Sequence, residues 1–287
     1  MTGGSSGIGL ETARALLSAG AEVTLAVRGV DAGARAAQNI EQSTGRSEVI
    51  VAPLDLADQA SVAAFVASWD GPLHILVNNA GIMATPELRT PEGWELQFVT
   101  NHLGHFHLAT GLRGPLAQAG GARVVVVSSV GHINGEVIFD DVNFEHHPYD
   151  PWLAYAQSKT ANILFMVEAS KRWALDGIAV NALNPGRIPT TGLGRHLEST
   201  DAPASFDPHS TDVSWKNTQQ GAATSVLLAA SPLVAGATGR YLEDCNEAPP
   251  HQPGIRRGVA AYALDPDKAA RLWRLSVEML AGQPEKV

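Results

Sequence analysis

The chain has 287 residues, 45% of them hydrophobic and 17% charged, so it can bury a substantial core and is not disordered over most of its length. A net charge of −9 with no basic run excludes the cationic footprint that nucleic acid or an anionic membrane surface requires. A single cysteine, Cys245, excludes a disulfide-built fold; no apolar run reaches membrane-span length and no secretory signal opens the chain, so a cytoplasmic protein is expected.

Helix and strand patterns then alternate. Residues 9–19 read as a helix with Leu10, Ala13, Leu16 and Leu17 on one face, 22–28 as a strand, 31–42 as a helix closed by Gly45, and 48–52 as a strand. Residues 58–69 follow as a helix capped by Asp58, 73–77 as an apolar strand, and 91–119 as one or two helices. Residues 123–128 contain four consecutive valines, the pattern of a strand buried on both faces. A long helix at 152–175, a strand at 178–183 and helices at 215–230 and 266–280 complete the order, with Asp265 and Pro266 opening the last. The alternation predicts a single α/β domain over 1–287, a Rossmann-type doubly wound parallel sheet with helices on both faces. The irregular polar stretches 187–214 and 243–257 are expected to act as flaps beside the strand ends, where such sheets bind ligands.

Thr2-Gly3-Gly4-Ser5-Ser6-Gly7-Ile8-Gly9 opens the first helix. Glycines let backbone N–H groups approach a pyrophosphate, and a helix N-terminus favours its negative charge. Such a loop normally follows a buried central strand, and only Met1 precedes it here, so the first strand reads as missing or truncated. Two neighbouring strands would then lack partners in a dry interior, so either the chain start is misassigned and an apolar strand is encoded upstream, which is the expectation favoured, or the polypeptide is truly short.

At the tip of the second strand Val27 stands where an acidic residue would hold the ribose hydroxyls of NAD, and Arg28 follows. A guanidinium there grips a 2′-phosphate, which favours NADP over NAD. Tyr155 and Lys159 lie at i, i+4 on the long predicted helix, so phenol and ammonium share one face. A phenol titrates near 10, too high for a base at neutral pH, and a neighbouring ammonium is expected to lower it.

The Thr-Gly-x3-Gly-x-Gly loop, Asn78-Asn79-Ala80-Gly81, Asn101, Ser128-Ser129 and Tyr155-x3-Lys159 together resemble the short-chain dehydrogenase/reductase superfamily, over nearly the whole chain. The 26-residue spacing from Ser129 to Tyr155, with Val99 to Phe106, Ser158 to Leu164 and Gln219 to Thr224, looks like its branch of retinol dehydrogenases, the WW-domain-containing oxidoreductase and protochlorophyllide reductase. The resemblance implies that Tyr155 is the general acid or base and that Lys159 binds the nicotinamide ribose and tunes it. It implies that Ser129 hydrogen-bonds the substrate oxygen and that Asn101 anchors a proton-relay water, Ser128 being structural. Gly3, Ser5, Ser6, Gly7, Ile8 and Gly9 would hold the phosphates, Asp55 and Leu56 the adenine, and Asn79, Ala80 and Gly81 its ribose. Pro185, Gly186 and Ile188 would pack on the nicotinamide, with Thr190 on its carboxamide and Thr191 as the alternative.

The function so implied is hydride transfer between NADP(H) and a small carbonyl or alcohol substrate. A non-catalytic nucleotide-binding scaffold and a light-dependent C=C reductase of the protochlorophyllide type are the competing readings. The resemblance also implies a homodimer or homotetramer. His102, His105 and His107 lack a supporting Cys or carboxylate cluster, so no metal is expected, and His146, His147 and Cys245 read as loop residues. Trp152 is a candidate for the substrate side.

Overall fold

The computed structural model describes residues 1–47, 49–196 and 215–282. Parallel strands β1 (Val23–Val27) and β2 (Val49–Pro53) pair with Val23 opposite Val49. A second ladder runs β3 (Ile75–Asn78), β4 (Arg123–Val127), β5 (Ala179–Asn184) and β6 (Tyr241–Glu243), all parallel, with β7 (Asn246–Glu247) antiparallel at its edge. Between the two ladders lies the position of the strand expected ahead of the glycine loop.

Met1 and Thr2 fill that position at the level where the ligand loop begins. The Ala26 N–H donates to the Met1 carbonyl at 2.8 Å, Gly3 N–H to Ala26 O at 3.1 Å, and Thr2 N–H to Val77 O at 3.0 Å. Two residues therefore bridge β1 and β3, and the expected row of unpaired groups is closed at this level. The spatial order is β2, β1, the Met1–Thr2 bridge, β3, β4, β5, β6, β7, a doubly wound sheet.

The valines of β4 show why both faces are covered. Val124 and Val126 enter one core with Val62, Phe106 and Phe165; Val125 and Val127 enter the other with Leu17, Ile40 and Leu228. The first face carries α3 (Gln59–Ser68), α5 (Gly104–Gly111), α7 (Pro151–Arg172) and α9 (Pro266–Ala281). The second carries α1 (Gly7–Ser18), α2 (Val30–Thr44) and α8 (Thr218–Ala230). The short α4 (Leu96–Phe98) leads into α5, and α6 (Arg113–Gln118) follows it.

Local chemistry moves several boundaries from their expected places. Asp150 accepts from the N–H groups of Trp152 and Leu153 with Pro151 in the first turn, so α7 starts at Pro151. Asn217 and Gln220 form a capping box that delays α8 to Thr218 rather than residue 215. The helical stretch within 91–119 is broken by a π-turn, Val99–Leu103, which carries Asn101. Strand β6 was not expected and overlaps the supposed flap 243–257 at Glu243; three residues are too few to show a period. The other flap, 187–214, is described only to residue 196, with a 3-10 turn at Gly192–Gly194; the remainder, like residue 48 of the second predicted strand, lies outside the described residues.

Helix α9 packs on α7, where Trp273 stacks on Phe165 at 6.1 Å and meets Trp173 edge-on at 6.0 Å. His102 Nε2 and Ser276 Oγ pair at 2.8 Å beneath them. Helix α7 is consequently buried from Ala154 through Ala169, its polar residues included.

Candidate active site

A cleft of about 520 Å³ opens at the carboxyl ends of the strands, running from Arg28 at one end to Tyr155 at the other. Such sheets leave a crevice there because helices cover everything else.

The Arg28 side of the cleft is built on the glycine loop that leaves the Met1–Thr2 bridge. Gly3 and Gly7 adopt left-handed backbone (φ +64° and +58°). A Cβ on Gly3 would stand 2.9 Å from Ala80 Cα, and one on Gly9 would stand 2.4 Å from Gly3 O, so neither tolerates a side chain. Ser6 precedes α1 without capping it through its side chain, which leaves first-turn N–H groups directed at the cleft. Ser5, Ser6, Gly7 and Ile8 line it with Gly3 and Gly9.

Thr2 holds this loop against the next one. Its Oγ1 accepts the N–H groups of Asn79 at 2.9 Å and Ala80 at 3.0 Å, while Asn79 Nδ2 donates to Thr2 O at 2.9 Å. His105 supplies the acceptor for the threonine proton. His105 Nδ1 faces the Asn101 carbonyl at 2.9 Å and must carry hydrogen, so Nε2 accepts from Thr2 Oγ1 at 2.9 Å. Burial lowers the His105 pKa to about 4, which keeps this tautomer neutral. Neither Thr2 nor His105 was expected at the site; Thr2 opens the glycine motif, and the buried spacing of His105 carried no signal.

At the adenine end Asp55 and Leu56 line the cleft, with Asp55 Oδ1 accepting from Ala57 N at 3.0 Å. Arg28 is exposed on the rim and, among the described residues, has neither ion pair nor hydrogen bond. An exposed guanidinium, a helix start without a side-chain cap and a glycine cradle together fit a phosphorylated dinucleotide.

The reactive end gathers Ser129, Tyr155 and Lys159 with Asn79, Ala80 and Gly81, and with Pro185, Gly186 and Ile188 opposite. Lys159 Nζ donates to Val127 O at 3.2 Å and lies 5.7 Å from the Tyr155 ring centre. Ser128 is structural, donating to Lys159 O at 2.8 Å. Burial raises the Tyr155 phenol to about 12, with Ser129 and Arg256 pulling it down only in part, and lowers Lys159 to about 8. The lowering expected from the lysine and a cationic nicotinamide together is not seen in the protein alone, where desolvation dominates the phenol. Burial thus keeps the Tyr155 phenol in its protonated form at neutral pH.

Two expected residues sit elsewhere. Asn101 does not line the cleft; it is fully buried behind it, exchanging bonds with the Ile82 backbone at 2.9 Å each way and donating to Ser158 Oγ at 2.9 Å. It braces the Gly81–Ile82 wall. Thr190 also fails to reach the cleft, and Thr191 lines it instead, its Oγ1 bonded to Ile188 O at 3.2 Å. Met83, Ala84, Trp152 and Leu193 form an apolar cluster with Tyr155, and of these four Leu193 lines the cleft. No group of three potential metal ligands occurs among the described residues.

The family profile described as short chain dehydrogenase matches residues 1–201. A probable oxidoreductase of Streptomyces antibioticus is 52% identical, covering 98% of this chain and 96% of that protein. Retinol dehydrogenase 14 of Homo sapiens is 38% identical, covering 98% of this chain and 84% of its own length. A crystal structure of a gluconate 5-dehydrogenase from Burkholderia cenocepacia, in complex with NADP and tartrate, superposes with a TM-score of 0.65 at 26% identity over 84% of this chain and 90% of that one. The chain belongs to the short-chain dehydrogenase/reductase family, on its retinol dehydrogenase-like branch, and is a nicotinamide-dependent oxidoreductase.

Replacing Thr2 by Val leaves the N–H groups of Asn79 and Ala80 without their acceptor. Urea denaturation should show a loss of about 2 kcal/mol, while Thr2→Ser stays near wild type. Equal stability of Thr2→Val and wild type would contradict the role assigned to the hydroxyl.

Proposed function

We propose that the enzyme interconverts a carbonyl and its alcohol on a small apolar substrate, with NADP(H) as the hydride carrier. The observation that carries this is one cleft bearing Arg28, unpaired among the described residues, at one end and Tyr155 with Ser129 and Lys159 at the other. When bound, the nicotinamide supplies hydride for reduction and takes it up for oxidation. Tyr155, held protonated by burial, donates its proton to the carbonyl oxygen. Ser129 Oγ donates a hydrogen bond to the same oxygen and stabilises the charge developing there. Lys159 keeps a positive charge beneath the ring and would hold the ribose. The Met83–Trp152–Leu193 cluster shields these groups from water and selects apolar substrates. NADP in the similar gluconate 5-dehydrogenase supports the cofactor class. The single cysteine suits a reducing compartment, and the cytoplasm is the location we propose. Assembly into two or four copies must use a surface other than the part of α7 covered by α9.

Tyr155→Phe should lower kcat for NADPH-dependent reduction across a panel of aldehydes and ketones by about 10³-fold. NADPH affinity, followed by fluorescence, should stay within about threefold, since the ring itself is kept. Retained turnover would overturn the assignment. Turnover by wild type in darkness would exclude a light-dependent reductase.

Arg28→Ala should cut the kcat/KM ratio of NADPH over NADH by about tenfold or more, the value of a charge-assisted phosphate contact. An unchanged ratio would count against Arg28.

Reduction needs both a protonated phenol and a charged lysine. Lys159 loses its proton above about pH 8 and Tyr155 only near 12, so reductive kcat/KM should hold below pH 8 and fall above it. A flat profile to pH 9.5 would contradict this.

A further inference from the structure

We infer that His132 is a positioning residue for the reaction, tying the Ser129 peptide to the backbone segment 258–260. The inference rests on the roles proposed for Ser129 and Tyr155.

His132 lies three residues beyond Ser129, in the 3-10 turn Val130–Asn134, and is fully buried. Its Nε2 is 3.1 Å from the backbone N–H of Ala260, so that nitrogen accepts and carries no hydrogen. The ring proton therefore sits on Nδ1, which donates to the Ser129 carbonyl at 2.7 Å. Both nitrogens are committed to backbone partners, one on each side. Burial holds the ring neutral, its pKa lowered to about 4, and a charged ring would turn a second N–H against that of Ala260.

The Ser129 carbonyl also takes the His132 N–H at 3.2 Å, and Ser129 Oγ takes the Gly131 N–H at 3.0 Å. This turn also seats the phenol: a Cβ on Gly131 would stand 2.8 Å from Tyr155 Cε1, so the ring packs on the bare glycine. One turn thus fixes the serine hydroxyl and the tyrosine ring relative to each other. His132 pins that turn from behind, and Tyr262 Oη donates to the His132 carbonyl at 2.7 Å to complete the anchor.

The far side of the clamp reaches the opposite wall. Gly258 N–H donates to Glu243 Oε2 at 2.9 Å, and Glu243 Oε1 accepts from Asn184 Nδ2 at 3.2 Å. Asn184 Oδ1 in turn accepts from Gly186 N at 3.2 Å. Residues 258–260 therefore join the Ser129 turn to the Pro185–Gly186 turn across the reactive end.

Two substitutions separate the halves of the clamp. His132→Asn places an amide near the Nδ1 position and keeps a donor for Ser129; His132→Gln reaches the Nε2 position and keeps only the Ala260 side. Steady-state carbonyl reduction should show kcat falling about tenfold or more in His132→Gln, which releases the Ser129 carbonyl, and severalfold in His132→Asn, which releases the Ala260 side of the tie. NADPH affinity should be unchanged in both. Wild-type kcat in either variant would overturn the role. If thermal melts show that neither variant folds, Tyr262→Phe decides: a severalfold fall in kcat at constant NADPH affinity supports the anchor, and wild-type kcat refutes it. Tyr155→Phe assayed alongside separates the two claims. Its wild-type turnover would sink the proposed chemistry, whereas its inactivity with a fully active His132→Gln would sink His132 alone.

Discussion

A few hydrogen bonds at the centre of the sheet govern the geometry of everything above it. Met1 and Thr2 join β1 to β3, and the chain turns directly from there into the glycine loop. Thr2 Oγ1 then locks the Asn79–Ala80 turn beside that loop, with the neutral His105 ring closing the network. Backbone groups buried at this depth have no water to fall back on, so each bond is worth more than its surface counterpart. The phosphate end and the ribose wall are therefore held as one unit, and the reactive end takes its position from β4 and α7 packed against it.

Burial, more than charge pairing, sets protonation in this cleft. Desolvation raises Tyr155 and lowers Lys159, His105 and His132. Each shift favours the neutral form, as expected where water is excluded. The Tyr155 phenol stays neutral, and a lysine near 8 stays mostly charged at pH 7. The neutral histidines each carry one donor and one acceptor nitrogen, which lets them link backbone groups that a charged ring could not. The same dryness that shapes the acid also makes the scaffold beneath it work.

Long periodic elements were legible in the sequence. The four valines of β4, the amphipathic helices and the shared helix face of Tyr155 and Lys159 follow from pattern and spacing, whereas the burial of that pair does not. Short or relational features were not. Strand β6 is three residues long, and the π-turn at Val99–Leu103 has no compositional mark. Thr190 and Thr191 are adjacent, so only backbone geometry after Pro189 decides which one faces the cleft. Asn101 matched a motif, but a motif does not say that its amide is already committed to Ile82 and Ser158. The raised Tyr155 pKa was missed for a related reason: sequence spacing reports a neighbouring charge but not how much water the fold removes.

A crystal structure with NADPH would test the central claim, that one cleft spans from the opening glycines to Tyr155. The account predicts the pyrophosphate on the amides of Ser5 to Ile8, the 2′-phosphate on Arg28, and the nicotinamide against Tyr155 and Lys159. A dinucleotide bound outside the glycine loop, or with its nicotinamide turned away from the phenol, would contradict it.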